Sequence, residues 1–151
     1  MTRSLLKNLR ARYIAWRFGS IDPTGNVGKR GEQAAARLLR RKGLRVVAES
    51  ESDRGGEIDL IALDEKRKIV IFVEVKTHST TKPGHPAERV DSEKQGRVSR
   101  AAMRYLKRKH LLGIPVRFDV IAVWWHSGNL EPDKIEHYEA AFECAGDFQM
   151  W

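Results

Sequence analysis

Two charged side chains interrupt an apolar stretch of the chain, the sequence IFVEVKT at residues 71–77. They belong to Glu74 and Lys76, and side chains two residues apart on a β-strand point to the same face. Burying two charges is costly unless they are paired or used in chemistry. Glu74 and Lys76 are therefore the first candidates for a functional site.

A second carboxylate comes close to this pair if the sequence on either side of the turn DEKRK forms an antiparallel hairpin, as its pattern predicts. The turn places Asp59 opposite Val73 or Glu74, within one residue of register. Two carboxylates at this separation repel one another and require positive charge between them. Lys76 supplies one charge, and a hard divalent cation such as Mg²⁺ (or Mn²⁺) would supply the rest.

Such a site has the chemistry to hydrolyse a phosphodiester. A divalent cation activates water and stabilises the extra negative charge of the attacked phosphate, and a lysine can orient the water or stabilise that charge. The alternative is a structural network in which Asp59 and Glu74 pair with Lys76 or with an arginine. The spacing of a short motif leaves both interpretations open.

The distribution of charge indicates a polyanionic partner. The chain carries a net charge of +8, and its first 48 residues contain twelve Lys and Arg against two acidic residues. A second basic block, from Lys94 to Lys109, contains seven Lys and Arg and no acid. Clustered bases of this kind are typical of proteins that bind nucleic acid or an anionic membrane surface.

The hydrophobic pattern predicts an α/β fold with a mixed central sheet flanked by helices. We expect an appended basic helix and linker at residues 1–27, one domain at 28–142 and a C-terminal tail at 143–151. The predicted elements are helices at 1–18, 28–42 and 90–112, strands at 44–50, 57–63, 69–77 and 116–125, and a short strand or helical turn at 135–142. A loop, HSTTKPGHPAE, follows the third strand.

The single cysteine, Cys144, excludes a disulfide framework within the chain. The sequence also lacks an apolar stretch long enough to span a bilayer and the central apolar region of a secretory signal. We therefore expect a cytoplasmic protein without a transmembrane segment.

Five sequence blocks resemble the bacterial YraN-like family of the PD-(D/E)XK nuclease superfamily, close to the archaeal Holliday junction resolvases. They are GKRGEQAAARLL, GEIDLIA, IFVEVKT, KQGRVSRAAMRYL and RFDVIAV, and they cover about residues 28–142. The resemblance implies a restriction-endonuclease-like αβββαβ core, the order that the pattern also predicts. It further implies a metal-dependent endonuclease acting on structured or branched DNA, with a possible homodimer because a junction has two-fold symmetry.

The resemblance also assigns roles to individual residues. Those matching the family's catalytic pattern are Glu32, Asp59, Glu74, Lys76 and Gln95, with Asp59 and Glu74 as the metal ligands. On the third helix the polar position matches Lys94 or Gln95, and the helical wheel favours Gln95 because it shares the inward face with Val98. Glu57, also in the GEID block, has either a site role or a structural one.

Seven residues are candidates for contact with nucleic acid: Arg30, Arg54, His78, Lys94, Arg97, Arg100 and Arg104. The arginines of the third helix are interpreted either as phosphate contacts or as a solvated face. Members of the family often carry Asn and Arg where this chain has Ser50 and Ser52, and Arg where it has His78. These differences bear on substrate affinity and not on the metal site.

Two other functions fit the same sequence. A nucleic-acid-binding module with a vestigial nuclease site would keep the charge pattern without turnover. A protein that docks on a membrane or on a partner through residues 1–18 would use the apolar positions of that helix, which alternatively packs on the domain. Trp124 and Trp125 are expected to pack in the core in preference to stacking on bases.

Overall fold

The computed structural model describes residues 2–79 and 90–144. Within these ranges the elements are α1 (Thr2–Phe18), α2 (Val27–Arg41), β1 (Arg45–Asp53), β2 (Gly56–Asp64), β3 (Ile69–His78), α3 (Ser92–Arg108), β4 (Val116–Trp124) and β5 (Lys134–Phe142). The predicted order is confirmed, and the last element is a strand. The predicted loop after β3 and the C-terminal tail lie mostly outside the described residues.

Helix α3 is shorter than the predicted 90–112 because a capping residue ends it at each side. Asp91 caps the N-terminus, and its side chain accepts a hydrogen bond from the Lys94 amide at 2.8 Å. The helix terminates at the C-cap residue Lys109, and His110 follows with a φ of 56°. The apolar residues after His110 therefore lie beyond the helix.

The five strands form one mixed sheet in the order β1-β2-β3-β4-β5. Neighbouring strands are antiparallel except for β3 and β4, which are parallel and are joined through α3. A parallel pair requires such a crossover connection. The mixed α/β sheet is confirmed and is consistent with a restriction-endonuclease-like core.

Each face of the sheet is covered by a helix, so β3 contributes to two apolar cores. On one face, α2 packs against Ile71 and Val73 of β3, and this core also contains Trp125. On the other face, α3 packs against Phe72, which stacks on Phe118 with ring centroids 5.6 Å apart. Trp124 and Trp125 are both buried, so their predicted packing in the core is confirmed.

The N-terminal end of α2 approaches the C-terminal end of β3 very closely. Asn26 caps the helix by accepting a hydrogen bond from the Lys29 amide at 2.8 Å. One turn later Gly31 is buried against Thr77, and a Cβ atom at Gly31 would lie only 1.9 Å from Thr77 Oγ1. The absence of a side chain at Gly31 thus allows α2 to bring the next residue, Glu32, down to the strands.

Among residues 2–79 and 90–144, each helix is too short or too polar to cross a membrane.

Candidate active site where β2 and β3 diverge

The hydrogen-bonded ladder between β2 and β3 ends before the two strands do. Its last pair is Leu60 with Val73, whereas β3 remains paired with β4 as far as His78. Asp59, the residue of β2 just before Leu60, bonds to β3 through its side chain instead. Its Oδ2 accepts a hydrogen bond from the Val75 amide at 2.8 Å. We call this divergence, between residues 57–59 of β2 and 74–76 of β3, the fork.

Glu74 lies on the α3 side of the fork and is only 6% exposed. Its carboxylate forms an ion pair with the Lys94 ammonium. Burial raises the pKa of Glu74 to about 7, and the nearby charge of Asp59 adds to the increase although Lys94 opposes it. A carboxyl group that titrates near neutral pH is typical of functional sites.

Lys94 is the residue through which α3 reaches the fork. Burial lowers the pKa of its ammonium, but the contact with Glu74 outweighs burial and leaves that pKa above its ordinary value. The side-chain amide nitrogen of the neighbouring Gln95, Nε2, instead donates to the Val90 carbonyl at 2.7 Å. The structure therefore places Lys94, and not the side-chain nitrogen of Gln95, against the carboxylate of Glu74.

Lys76 shares a side of β3 with Glu74, as strand alternation predicts. Across the described parts of the chain, no hydrogen bond or ion pair involves its ammonium. The positive charge that balances Glu74 thus comes from α3 rather than from the neighbouring position on the same strand.

Glu32 approaches Asp59 from the α2 side of the sheet, opposite to Glu74. One carboxylate oxygen from each of Glu32, Glu57 and Asp59 lies within 4.8 Å of the others. Burial and the charge of Asp59 raise the pKa of Glu32, although Ser50 Oγ donates a hydrogen bond to it at 3.2 Å. Asp59 is therefore shared between acidic groups that come from both faces of the sheet.

Glu57 completes this cluster and is the residue whose role the sequence leaves undecided. Its position in the GEID block is the signal for it, but alternation along a regular strand does not place it beside Glu32. The ladder between β2 and β3 includes no residue of β2 before Leu60, so the beginning of β2 is free of it. Glu57 and Asp59, which are two residues apart on β2, therefore meet Glu32 at one cluster.

The arginines predicted to contact nucleic acid differ in how much of their surface is exposed. Arg54, Arg97 and Arg100 are exposed, and Arg97 lies 3.6 Å from Glu93. Arg104 instead binds both carboxylate oxygens of Asp53, at 2.5 and 2.9 Å. Its guanidinium therefore links α3 to the end of β1.

Two further candidates from that set lie against buried tryptophans. Arg30 stacks over Trp125 at 5.1 Å and contacts the carbonyl of Asn129 at 3.5 Å. The His78 ring is 5.4 Å from Trp124. Both side chains are half-buried, so each presents only part of its surface to a ligand.

One buried acid lies outside the fork. Asp119 is fully buried, receives two hydrogen bonds from Arg117 at 2.8 and 2.9 Å, and contacts Nε2 of His137 at 2.8 Å. Burial raises its pKa, but the bonds to His137, Arg117 and the Ala140 amide outweigh burial and keep that pKa below its ordinary value. Asp119 thus belongs to a structural network joining β4 and β5.

A mixed sheet between helices, with acidic groups where two of its strands diverge, defines the chain as an α/β protein whose fold is consistent with a restriction-endonuclease-like core. Within that class, residues 31–123 match the model of the uncharacterised protein family UPF0102. The chain belongs to this family, which is the YraN-like group.

Individual relatives cover most of the chain. It is 63% identical to a UPF0102 protein of Rhodopirellula baltica over 140 residues, which are 93% of this chain and 84% of the relative. It is 43% identical to UPF0102 proteins of Geobacter sulfurreducens and Chlorobaculum tepidum, covering 79% and 77% of this chain and 90% and 91% of the relatives. The family prediction is confirmed, and the names of these relatives state no activity.

Proposed function

We propose that the protein is a divalent-metal-dependent endonuclease that hydrolyses phosphodiester bonds in structured or branched DNA. The observation that carries the proposal is the position of Asp59 in the fork, between Glu32 and Glu57 on one side and the buried Glu74 on the other. Four acidic groups around one gap in a sheet are costly unless a cation joins them.

The donor chemistry fits a hard cation such as Mg²⁺ or Mn²⁺. Every candidate ligand at the fork offers carboxylate oxygen, and oxygen donors select magnesium and manganese over softer metals. Burial raises the pKa values of Glu32 and Glu74, and the negative charge of Asp59 adds to both increases, so a cation at the fork would favour the charged form of each carboxylate. Asp59 and Glu74 would hold the ion, with Glu32 and Glu57 as further oxygen donors.

Such an ion, when bound, would polarise a phosphodiester and lower the pKa of a water molecule. The residues of the chain have the remaining tasks. The Lys76 ammonium is available to orient the attacking water or to stabilise negative charge on the phosphate. The exposed guanidinium groups of Arg97 and Arg100 on α3 would bind the neighbouring backbone phosphates.

Cleavage of a substrate panel tests this proposal. Junction, flap, single-stranded and duplex DNA are incubated with Mg²⁺ or Mn²⁺ and with wild-type protein, Asp59→Asn, Glu74→Gln or Lys76→Met. We expect cleavage by the wild type and a loss of about 100-fold or more in each variant, since each removes a ligand or a catalytic charge. The matched control, Asp64→Asn, changes an acid at the far end of β2. Equal cleavage by wild type and Glu74→Gln on every substrate would reject the catalytic role.

A second candidate is a nucleic-acid-binding module without turnover. The ion pair between Lys94 and Glu74 supports it, because an internal ammonium already neutralises the most buried acid of the fork. Calorimetry separates the two functions: the nuclease binds Mn²⁺ with a heat that Asp59→Asn removes. Salt-sensitive binding of DNA without that heat would favour the binding module.

A further inference from the structure

Helix α1 presents an unusual concentration of apolar surface to solvent. Five large side chains on this helix are each more than half exposed, and Trp16 is 79% exposed: the set is Leu5, Leu6, Leu9, Tyr13 and Trp16. At 3.6 residues per turn they all fall within an arc of roughly 100°. We call this face the α1 stripe. A continuous exposed apolar face of this kind marks a surface for interaction.

The charges of α1 border the stripe. The helix contains five Arg and Lys residues and no acid. On the helical wheel Arg12 lies beside one edge of the stripe. Arg17 lies beside the other edge, and Arg10 and Arg3 lie progressively further from that edge. An apolar face with cations along both edges is the pattern of helices that lie in the plane of a membrane interface.

The opposite side of α1 is already in contact with the domain. Ala11 and Ile14 line a cavity of about 250 Å³ together with Arg37 and Arg41 of α2. The end of α1 is fixed by a hydrogen bond of 3.2 Å from Arg40 Nη1 to the Phe18 carbonyl. Because these contacts determine which side of α1 faces α2, the stripe points away from the domain.

We propose that α1 docks the protein on the surface of an anionic lipid bilayer, with the α1 stripe among the acyl chains and the flanking arginines at the headgroups. The apolar stripe and the flanking arginines of α1 then each have a partner in the bilayer. Apolar side chains enter the boundary between headgroups and acyl chains, and anionic lipid attracts each arginine near the surface. Trp and Tyr are enriched at this depth because their rings are amphipathic.

Two other occupants fit the helix less well. A second copy of the chain would bring two helices of charge +5 stripe to stripe, and like charges at short distance repel. A nucleic acid would bind the arginines but would offer no apolar layer to the leucines, since phosphate contacts dominate such interfaces. The bilayer is therefore the occupant that satisfies both the charge and the apolar area.

Vesicle flotation with the full-length chain tests the proposal. We expect binding to vesicles of phosphatidylglycerol and phosphatidylcholine, and binding about tenfold weaker to phosphatidylcholine alone or at high salt. The double variant Leu9→Glu with Trp16→Glu should lose about tenfold or more in affinity. The matched control, Leu112→Glu with Leu130→Glu, changes two exposed leucines outside α1 and should bind as the wild type does.

A second measurement locates the contact. Brominated lipids should quench tryptophan fluorescence in the wild type, and much less in Trp16→Phe, which should still float with the vesicles. Failure of the wild type to bind, or equal binding by the α1 variant and the wild type, would overturn the proposal. A smaller particle by light scattering in the α1 variant would instead identify a second copy as the occupant, and lower DNA affinity would identify nucleic acid.

Discussion

The Lys94 ammonium of α3 is the counterion of the Glu74 carboxylate, which is buried at the point where β2 and β3 diverge. The pair joins helix α3 to strand β3 beside the Asp59 carboxylate of the fork. In the absence of a divalent cation, this ammonium supplies positive charge to the fork.

Removing that ammonium should strengthen the binding of divalent cations. In Lys94→Met the carboxylates at the fork lose their internal counterion, so we expect the Kd for Mn²⁺ at about pH 8 to fall by about tenfold. Isothermal titration calorimetry measures the change. Lys107→Met, an exposed lysine on the same helix, is the control. Weaker or unchanged Mn²⁺ binding in Lys94→Met would show that the ammonium does not compete with the cation.

Stability should depend on pH through Glu74. Its pKa of about 7 in the folded chain exceeds the ordinary value of 4.5, so the protonated form is favoured in the fold. This contribution is fully present below pH 4.5 and is lost as pH increases through 7. We expect Glu74→Gln to be more stable than the wild type by about 2 kcal/mol at about pH 8. At a pH near the ordinary pKa of 4.5, the difference in stability between Glu74→Gln and the wild type should vanish.

Urea denaturation with a chelator present gives the free energies of unfolding of the wild type and of Glu74→Gln. The measurement is made at an acidic and at an alkaline pH. The contradictory result is a variant that is less stable than the wild type at the alkaline pH. That result would mean that the ion pair with Lys94 fully offsets the burial of the charge.

Two arginines of α3 should differ in their effect on DNA binding. Arg100 is exposed, whereas Arg104 binds Asp53 through two hydrogen bonds. We expect Arg100→Ala to weaken DNA binding and to lower the slope of log K against log salt by about 1, because one phosphate contact is lost. Arg104→Ala should leave the slope unchanged and lower the melting temperature. Fluorescence anisotropy at several salt concentrations distinguishes the two, and equal slopes for both variants would contradict the assignment.

A side chain at Gly31 should disturb the contact between α2 and β3. The Cβ of Gly31→Ala would lie 1.9 Å from Thr77 Oγ1, so the helix must move or the fold must lose stability. We expect a loss of about 2 kcal/mol. Thr77→Ala should restore part of it in the double variant. Gly28→Ala, on the same helix and in ordinary contact only, should be neutral in the same denaturation experiment.

The fold could be predicted from the sequence because its signals are local. The alternation in β3, the helical spacing of apolar residues and the short turn between β2 and β3 each depend on neighbouring residues. The pairing of Leu60 with Val73 agrees with the predicted hairpin register to within one residue. The boundaries of α3 were less accurate, since the apolar periodicity continues past the point at which His110 leaves the helix.

The candidate site was less predictable because it depends on how helices α2 and α3 pack on the sheet. Helical spacing alone favoured Gln95 over Lys94, but the orientation of α3 directs the lysine to Glu74 and leaves the glutamine amide at Val90. The family resemblance placed Glu32 in the catalytic set with Asp59, but it did not predict that Glu32 approaches Asp59 from the face of the sheet opposite to Glu74. That approach requires the gap between β2 and β3, which is a property of the packed sheet and not of either strand.

The hydrogen bond from the Val75 amide to Asp59 gives the fork an internal spectroscopic reporter. This amide is satisfied by a side chain, so its protection from solvent exchange depends on where the Asp59 carboxylate lies. Any ligand that draws Asp59 away would release the amide while the parallel pairing of β3 with β4 keeps the strand ordered. The amide chemical shift of Val75 would therefore follow occupancy of the site even in variants that have no turnover.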